Sequence, residues 1–221
     1  MIKFEHTDTW GWEHAIRGMR NPMNSWHKSD SRYCVDLKCR DCRYFFDSTC
    51  KRMNTYDFIL GNNDEKLAKS LIKAGSDHRK FLRQIAVSVD ITAPLYWWKE
   101  FDQYKVGTVT NSCSTMHKIA AKEFTIEDFS HEHILDNHML YMVVQELNTW
   151  REKYLETKDK KYWWQMIQLL PSSYNQKRTV TMNYETLLNI CHARKGHKLD
   201  EWHQFREWIE RLPYTKELFN D

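Results

Sequence analysis

Proline and glycine are scarce, with four and six in 221 residues. A many-stranded sandwich or barrel needs frequent turn residues, so the chain instead favours long elements joined by short turns. Cysteine is sparse as well: six residues and no apolar leader in MIKFEHTDTW exclude a disulfide scaffold and predict reduced thiols. No apolar run approaches the roughly 18 residues of a membrane span. Neither charge sign dominates, because 33 Lys and Arg face 30 Asp and Glu for a net +3. That balance gives little support to a membrane or a nucleic acid as partner, and a cytoplasmic location is expected.

Aromatics are plentiful, at 10 Trp, 11 Tyr and 10 Phe, and their large buried areas offset an apolar share of only 41%. The length suits one domain over 1–221 with its own core. A Cys-rich insertion lies at about 30–56.

Asn63-Asp64 offers a cap for a helix through Leu67, Leu71 and Ile72 that stops at Gly75. Ile85, Val87, Val89 and Ile91 alternate with Ala86, Ser88 and Asp90, the period of a strand with one buried face, closed by Ala93-Pro94. Leu95 to Phe101 reads as a short helix after proline, and Tyr104 to Thr110 as a strand. Ile134 to Glu156 is the longest helical pattern, with Leu135, Met139, Met142, Val143, Leu147, Trp150 and Tyr154 forming its apolar stripe. A helix over Lys160–Leu170 ends at Pro171, Thr179–Thr181 is a short strand, and helices follow near 184–194 and 199–211. The expected fold class is α+β: a small, mostly antiparallel sheet flanked by long helices.

Ile91-x-Ala93-Pro94, Phe101, Tyr104-Lys105-x-Gly107-Thr108 and Asn111-Ser112-x-Ser114 together resemble the signature region of the flavin-dependent thymidylate synthases. There an I-x-A-P strand end leads through a helix into R-H-R-x-x-S-x-N-E-x-S-x-R-Y. Leu170-Pro171-x-x-x-Tyr174, Thr181-x-Asn183, Leu187-Leu188-Asn189 and Arg194 resemble that family's C-terminal block without a gap. Leu67-Ala68, Leu71-Ile72, Ala74-Gly75 and His78 resemble the helix before its flavin-contacting strand. The ordered blocks cover residues 64–211, and the first sixty fit least.

The resemblance implies a homotetramer whose sites combine several subunits, each binding FAD and dUMP or a related pyrimidine nucleotide. It implies methyl transfer from methylenetetrahydrofolate to C5 of the uracil, with NADPH as reductant. It assigns catalysis to Arg194 and Ser114. Cofactor contacts fall to His78, Tyr104, Lys105, Thr108, Asn183, Asn189 and His197, and substrate contacts to Glu100, Gln103, Lys105, Ser112, Ser114 and Arg194. In that mechanism a fixed guanidinium at 194 stabilises charge driven onto the uracil carbonyls. Read without the family, Arg194 is a surface arginine pairing with Glu185 or Asp200.

The departures concentrate on arginines. Gln103, Tyr104 and Lys105 stand where the family has R-H-R, Thr108 stands for its serine, and Met116-His117 for R-Y. Glu185 and Ile167 replace two further arginines. Arginine forks bind phosphate bidentately, and lysine or serine replaces them only in part. Lys105, Lys118, Lys177 and Arg178, or Arg17 and Arg20 from the N-terminus, are the cations that can restore the charge. A homologue that binds a nucleotide or nucleic acid without methyl transfer is the alternative reading.

Cys34, Cys39, Cys42 and Cys50 gather four thiols in a short segment. The spacing is compatible with a structural zinc, with unliganded thiols, or with an iron–sulfur cluster. His131 and His133 lie two apart at the expected helix start, which suits capping or solvation better than metal binding. Trp97-Trp98 and Trp163-Trp164 read as core, with one of each pair able to stack on a flavin or a base. Cys113 reads as a small buried residue, and Lys158-Asp159-Lys160-Lys161 as a solvated turn.

Overall fold

In the computed structural model, residues 2–34 and 58–219 are described. In chain order the first half holds β1 (Lys3–Trp10), α1 (Trp12–Arg20), β2 (Arg32–Tyr33), β3 (Phe58–Ile59), α2 (Asn62–Lys73), β4 (Ala86–Pro94) and α3 (Leu95–Phe101). Then come β5 (Thr108–Ser112), α4 (Thr115–Lys118), α5 (His138–Thr157), α6 (Lys160–Leu169), β6 (Asn175–Asn183), α7 (Tyr184–Ala193), α8 (Asp200–Ile209) and α9 (Thr215–Phe219).

The apolar alternation at Val87, Val89 and Ile91 builds the centre of a four-stranded sheet, ordered β1-β4-β6-β5 with every neighbour antiparallel. Those side chains are buried against helices, and the intervening Ser88 and Asp90 keep partial exposure. The expected α+β class and antiparallel sheet are therefore what the chain adopts. Among the described residues β2 and β3 form a separate two-stranded ribbon.

Helices α1, α3, α7 and α8 supply a largely aromatic core. Trp97 is fully buried, with ring centroids of Phe101 and Trp202 at 5.0 and 4.9 Å. Trp98 is equally buried and donates Nε1–H to the Gln176 carbonyl at 2.9 Å. Neither ring is open to a flavin or base. A second apolar cluster joins the α5–α6 hairpin to Ile119, Phe124 and Phe129.

Several expectations are corrected. Asp64 caps nothing: it lies fully buried inside α2 and pairs with the equally buried Arg20 at 2.5 Å, while its other oxygen accepts from Ser29 and Ser31. Arg20 is thereby removed from any phosphate. The strand expected from Tyr104 begins at Thr108, because Gly107 turns the chain at φ +71°. Helix α5 starts at His138, so His131 and His133 precede it. Of the expected stripe, Leu147 is buried and Val143, Trp150 and Tyr154 pack against the core, but Leu135, Met139 and Met142 are exposed and Leu140 and Val144 are buried in their place. Strand β6 runs nine residues where three were expected. Cys113 is exposed. Strand β1 carries no apolar alternation and escapes a pattern reading, since it is an edge strand with mostly exposed residues, whereas α1 buries Trp12, Ala15, Ile16 and Met19 at helical spacing.

Candidate active site

Arg194 caps the C-terminal end of α7 and reaches back to α3. Its Nη1 meets Glu100 Oε2 at 2.8 Å, its Nε–H donates to the Tyr104 hydroxyl at 2.7 Å, and its guanidinium lies 4.5 Å from the Trp202 ring centroid. Glu100 Oε2 also receives Trp202 Nε1–H at 3.1 Å and His197 Nε2 at 3.2 Å. The His197 Nδ1 accepts the Leu199 backbone N–H, which leaves the proton of a neutral ring on Nε2, facing the carboxylate. Glu100, Tyr104, Arg194 and His197 thus form one constellation. Its carboxylate partner is neither Glu185 nor Asp200. Asp200 pairs with His133, and Glu185 with Arg79 and Arg83.

Asn183 closes the start of α7, where its Oδ1 accepts from the Thr186 backbone N–H and hydroxyl at 3.0 and 3.2 Å. Gly107 packs directly on it: an added Cβ would lie 2.4 Å from Asn183 Nδ2. Thr108 Oγ1 is buried without a hydrogen-bond partner. On the outer face of α7, exposed Asn189 accepts from Arg79 Nη2 at 2.9 Å. Burial opposes ionisation of Glu185, but hydrogen bonds from Arg83 and Arg79 outweigh it and hold the carboxyl below its ordinary range. His78, adjacent to Arg79, is exposed, as are Gln103 and Lys105.

Ser114 sits elsewhere, in a cleft of about 710 Å³. Its Oγ accepts the His117 backbone N–H at 3.1 Å, which leaves the hydroxyl proton for a ligand. Lys3, Lys118, Lys122 and Lys177 line this cleft with Glu127, Asp128 and Glu132. Lys177 is bound to Glu5 and Asp90, and Lys122 to Asp128. Lys3 and Lys118 form no ion pair among the described residues. Arg178 points away from it, over the Trp98 ring at 4.2 Å and onto Asp102 at 2.7 Å. Exposed Ser112 ends β5 just before the cleft.

The residues singled out from sequence therefore fall into separate groups within one copy. Arg194 joins Glu100, Tyr104 and His197; Asn189 joins Arg79 and Glu185; Asn183 joins Thr186; and Ser114 joins the lysines. Sequence reasoning missed Lys3, Arg79 and Arg83, which belong to no recognised motif. Cys39, Cys42 and Cys50 lie outside the described residues, and among the described ones no His, Cys, Asp and Glu cluster able to hold a metal occurs.

No protein-family model matches the sequence, and no curated protein matches it. Solved structures do. Thymidylate synthase X (ThyX) from Helicobacter pylori, crystallised with FAD and dUMP, is 15% identical and superposes with a TM-score of 0.67 over 100% of this chain and 98% of that one. A second crystal structure of the same enzyme with FAD and dUMP gives 0.68 at the same identity and coverage. The UMP/dUMP methylase PolB from Streptomyces cacaoi, bound with 5-Br UMP, gives 0.60 at 13% identity over 99% and 93%. From end to end, the chain has the fold of the flavin-dependent thymidylate synthases.

Proposed function

We propose that the chain is a nucleotide-methylating flavoenzyme of the flavin-dependent thymidylate synthase type. It binds FAD and dUMP, or a related pyrimidine nucleotide, and methylates C5 with methylenetetrahydrofolate as carbon donor and NADPH as reductant. The observation that carries this reading is the full-length fold likeness with Ser114 set in a cleft beside Lys3 and Lys118, which form no ion pair among the described residues.

The donor set fits a nucleotide phosphate: the Ser114 hydroxyl and the Lys118 and Lys3 ammonium groups are the charge-assisted donors such a group requires. The flavin positions offer the Tyr104 hydroxyl proton, the Lys105 ammonium and the exposed Asn189 amide. Asn183 contributes through the backbone it caps, since its carbonyl oxygen is already occupied. FAD, when bound, supplies the redox chemistry. Arg194, with Nε and Nη1 held, keeps Nη2 to meet charge on the substrate's carbonyl oxygens.

Strand β5, spanning roughly 17 Å, lies between Tyr104 and Ser114, so one copy does not bring both groups to one small ligand. A homotetramer in which neighbouring copies complete each site is part of this reading, and the exposed apolar residues Leu135, Met139 and Met142 suit subunit contact.

Purified protein incubated with FAD is expected to turn yellow and retain the cofactor through gel filtration. NADPH oxidation is expected to rise on adding dUMP, with a methylated nucleotide found by mass spectrometry when methylenetetrahydrofolate is present. Colourless protein that takes up no FAD overturns the proposal. Gln103, Ile167 and Glu185 at arginine positions favour a second reading, nucleotide binding without methyl transfer. That reading expects bound dUMP and NADPH oxidation indifferent to it.

A further inference from the structure

The tip of the α5–α6 hairpin carries an alternation of lysines and aromatic rings that the proposed chemistry does not use. Lys153 Nζ lies 4.5 Å from the Trp150 ring centroid, Lys161 4.7 Å from Tyr162, and Lys158 5.9 Å from Tyr154. Lys160 lies 5.8 Å from Trp164 and 6.0 Å from Trp163. Trp164 is 42% exposed, and the other four rings are half-buried. Trp150 and Tyr162 stack across the hairpin with centroids 5.8 Å apart and planes 17° apart.

Lys153, Lys158 and Lys160 form no ion pair among the described residues. Of the nearby carboxylates, Asp159 is spent on capping α6 and on Lys161, while Glu152 and Glu156 on α5 are exposed and form no ion pair among the described residues. Left-handed Lys158, at φ 58°, folds the helices back so that rings from both share one surface. Its length along α5, from Trp150 to Lys158, is roughly 12 Å, enough for two or three nucleotides. Ammonium groups without ion pairs among the described residues, set beside the exposed Trp164 ring, suit a flexible polyanion of flat bases: phosphates meet the lysines and a base stacks on the exposed part of Trp164.

We propose that this hairpin tip is a binding surface for single-stranded nucleic acid, without base specificity and independent of the nucleotide cleft. Residues 150–164 carry five cations, Arg151, Lys153, Lys158, Lys160 and Lys161, against the three carboxylates Glu152, Glu156 and Asp159. A lipid surface fits less well. Four of the five rings lie half-buried, so they cannot drive as wedges into a bilayer.

The test uses the full chain and a fluorescein-labelled oligodeoxyadenylate, which has no pyrimidine for the Ser114 cleft. Anisotropy at low salt is expected to show binding to the single strand about tenfold tighter than to a duplex of the same length. The log–log salt slope is expected near −2, as for about three phosphate contacts on a single strand. Combined Lys153→Gln, Lys158→Gln and Lys160→Gln should weaken binding about tenfold or more while FAD uptake is unchanged. Trp164→Ala should weaken it about fivefold or more. The proposal is overturned by absence of single-strand binding at low salt, by equal binding to duplex, by affinity that the lysine variant leaves unchanged, or by binding only to phosphatidylserine vesicles. Circular dichroism and urea midpoints equal to those of the parent establish that the variants are folded.

Discussion

Glu100 on α3 and Arg194 at the end of α7 meet at 2.8 Å across 94 residues of sequence, and the same carboxylate oxygen gathers the donors of Trp202 and His197. Glu100→Ala removes the anchor of all three. It is expected to cost about 1–2 kcal/mol, because Arg194 is mostly buried while Glu100 keeps partial access to water. Urea unfolding should show a lower midpoint with an unchanged slope. Dependence of nucleotide turnover on Glu100 would appear together with the stability loss, since the guanidinium would no longer be held.

The acid limb of stability should report on Asp64. Burial opposes its ionisation, but hydrogen bonds from Ser31, Ser29 and Arg20 prevail and lower its pKa from the ordinary 3.8. A depressed carboxylate contributes stability that is present above its unfolded value and disappears as pH falls through the folded one. The contribution of Asp64 is therefore complete above pH 3.8 and is lost below it. Asp64→Asn should remove that part of the acid limb and cost about 3–5 kcal/mol at neutral pH, where it strands the buried Arg20. Thermal melts at neutral and acid pH check both.

Gly107 and Gly196 share a positive φ, at +71° and +72°, yet only the first is crowded. Gly196→Ala meets nothing within 4 Å and should cost about 1 kcal/mol of backbone strain. Gly107→Ala also drives a methyl into Asn183 Nδ2 and the Thr186 hydroxyl, and should cost about 2–3 kcal/mol. Paired urea titrations separate strain from collision. Loss of FAD uptake in Gly107→Ala alone would follow from displacement of the Asn183 cap.

Leu135 and Met139 stand exposed just before and at the start of α5. Sedimentation velocity is expected to give the parent a mass well above the 26.9 kDa of one chain. Leu135→Lys combined with Met139→Lys should lower that mass if this face joins the copies, without lowering the unfolding midpoint of the monomer. A parent that sediments as a monomer would remove the shared-site part of the proposed function.

Local order was readable wherever a pattern follows one element. The alternation from Val87 to Ile91, the proline before α3, and the helices over 184–194 and 199–211 all lie close to where periodicity puts them. The stripe expected for α5 held in part: Val143, Leu147, Trp150 and Tyr154 pack in the second cluster, while Leu135, Met139 and Met142 are exposed, because periodicity marks an apolar face without saying what covers it. Strand β1 was silent: an edge strand needs no buried alternation, and Lys3 reaches the cleft through it.

Composition, turn economy and ordered motif blocks determined the α+β class and the likeness to a known fold, because apolar period and turn chemistry are local properties of the chain. Only the tertiary structure decided which charges remain available. Arg20 is lost to Asp64, Arg178 to Asp102, and Arg79 and Arg83 share Glu185, while Lys3 and Lys118 beside Ser114 form no ion pair among the described residues. The physical reason is that Coulomb pairing and desolvation depend on distances in space, which residues 44 or 106 positions apart acquire only when the elements that carry them pack together.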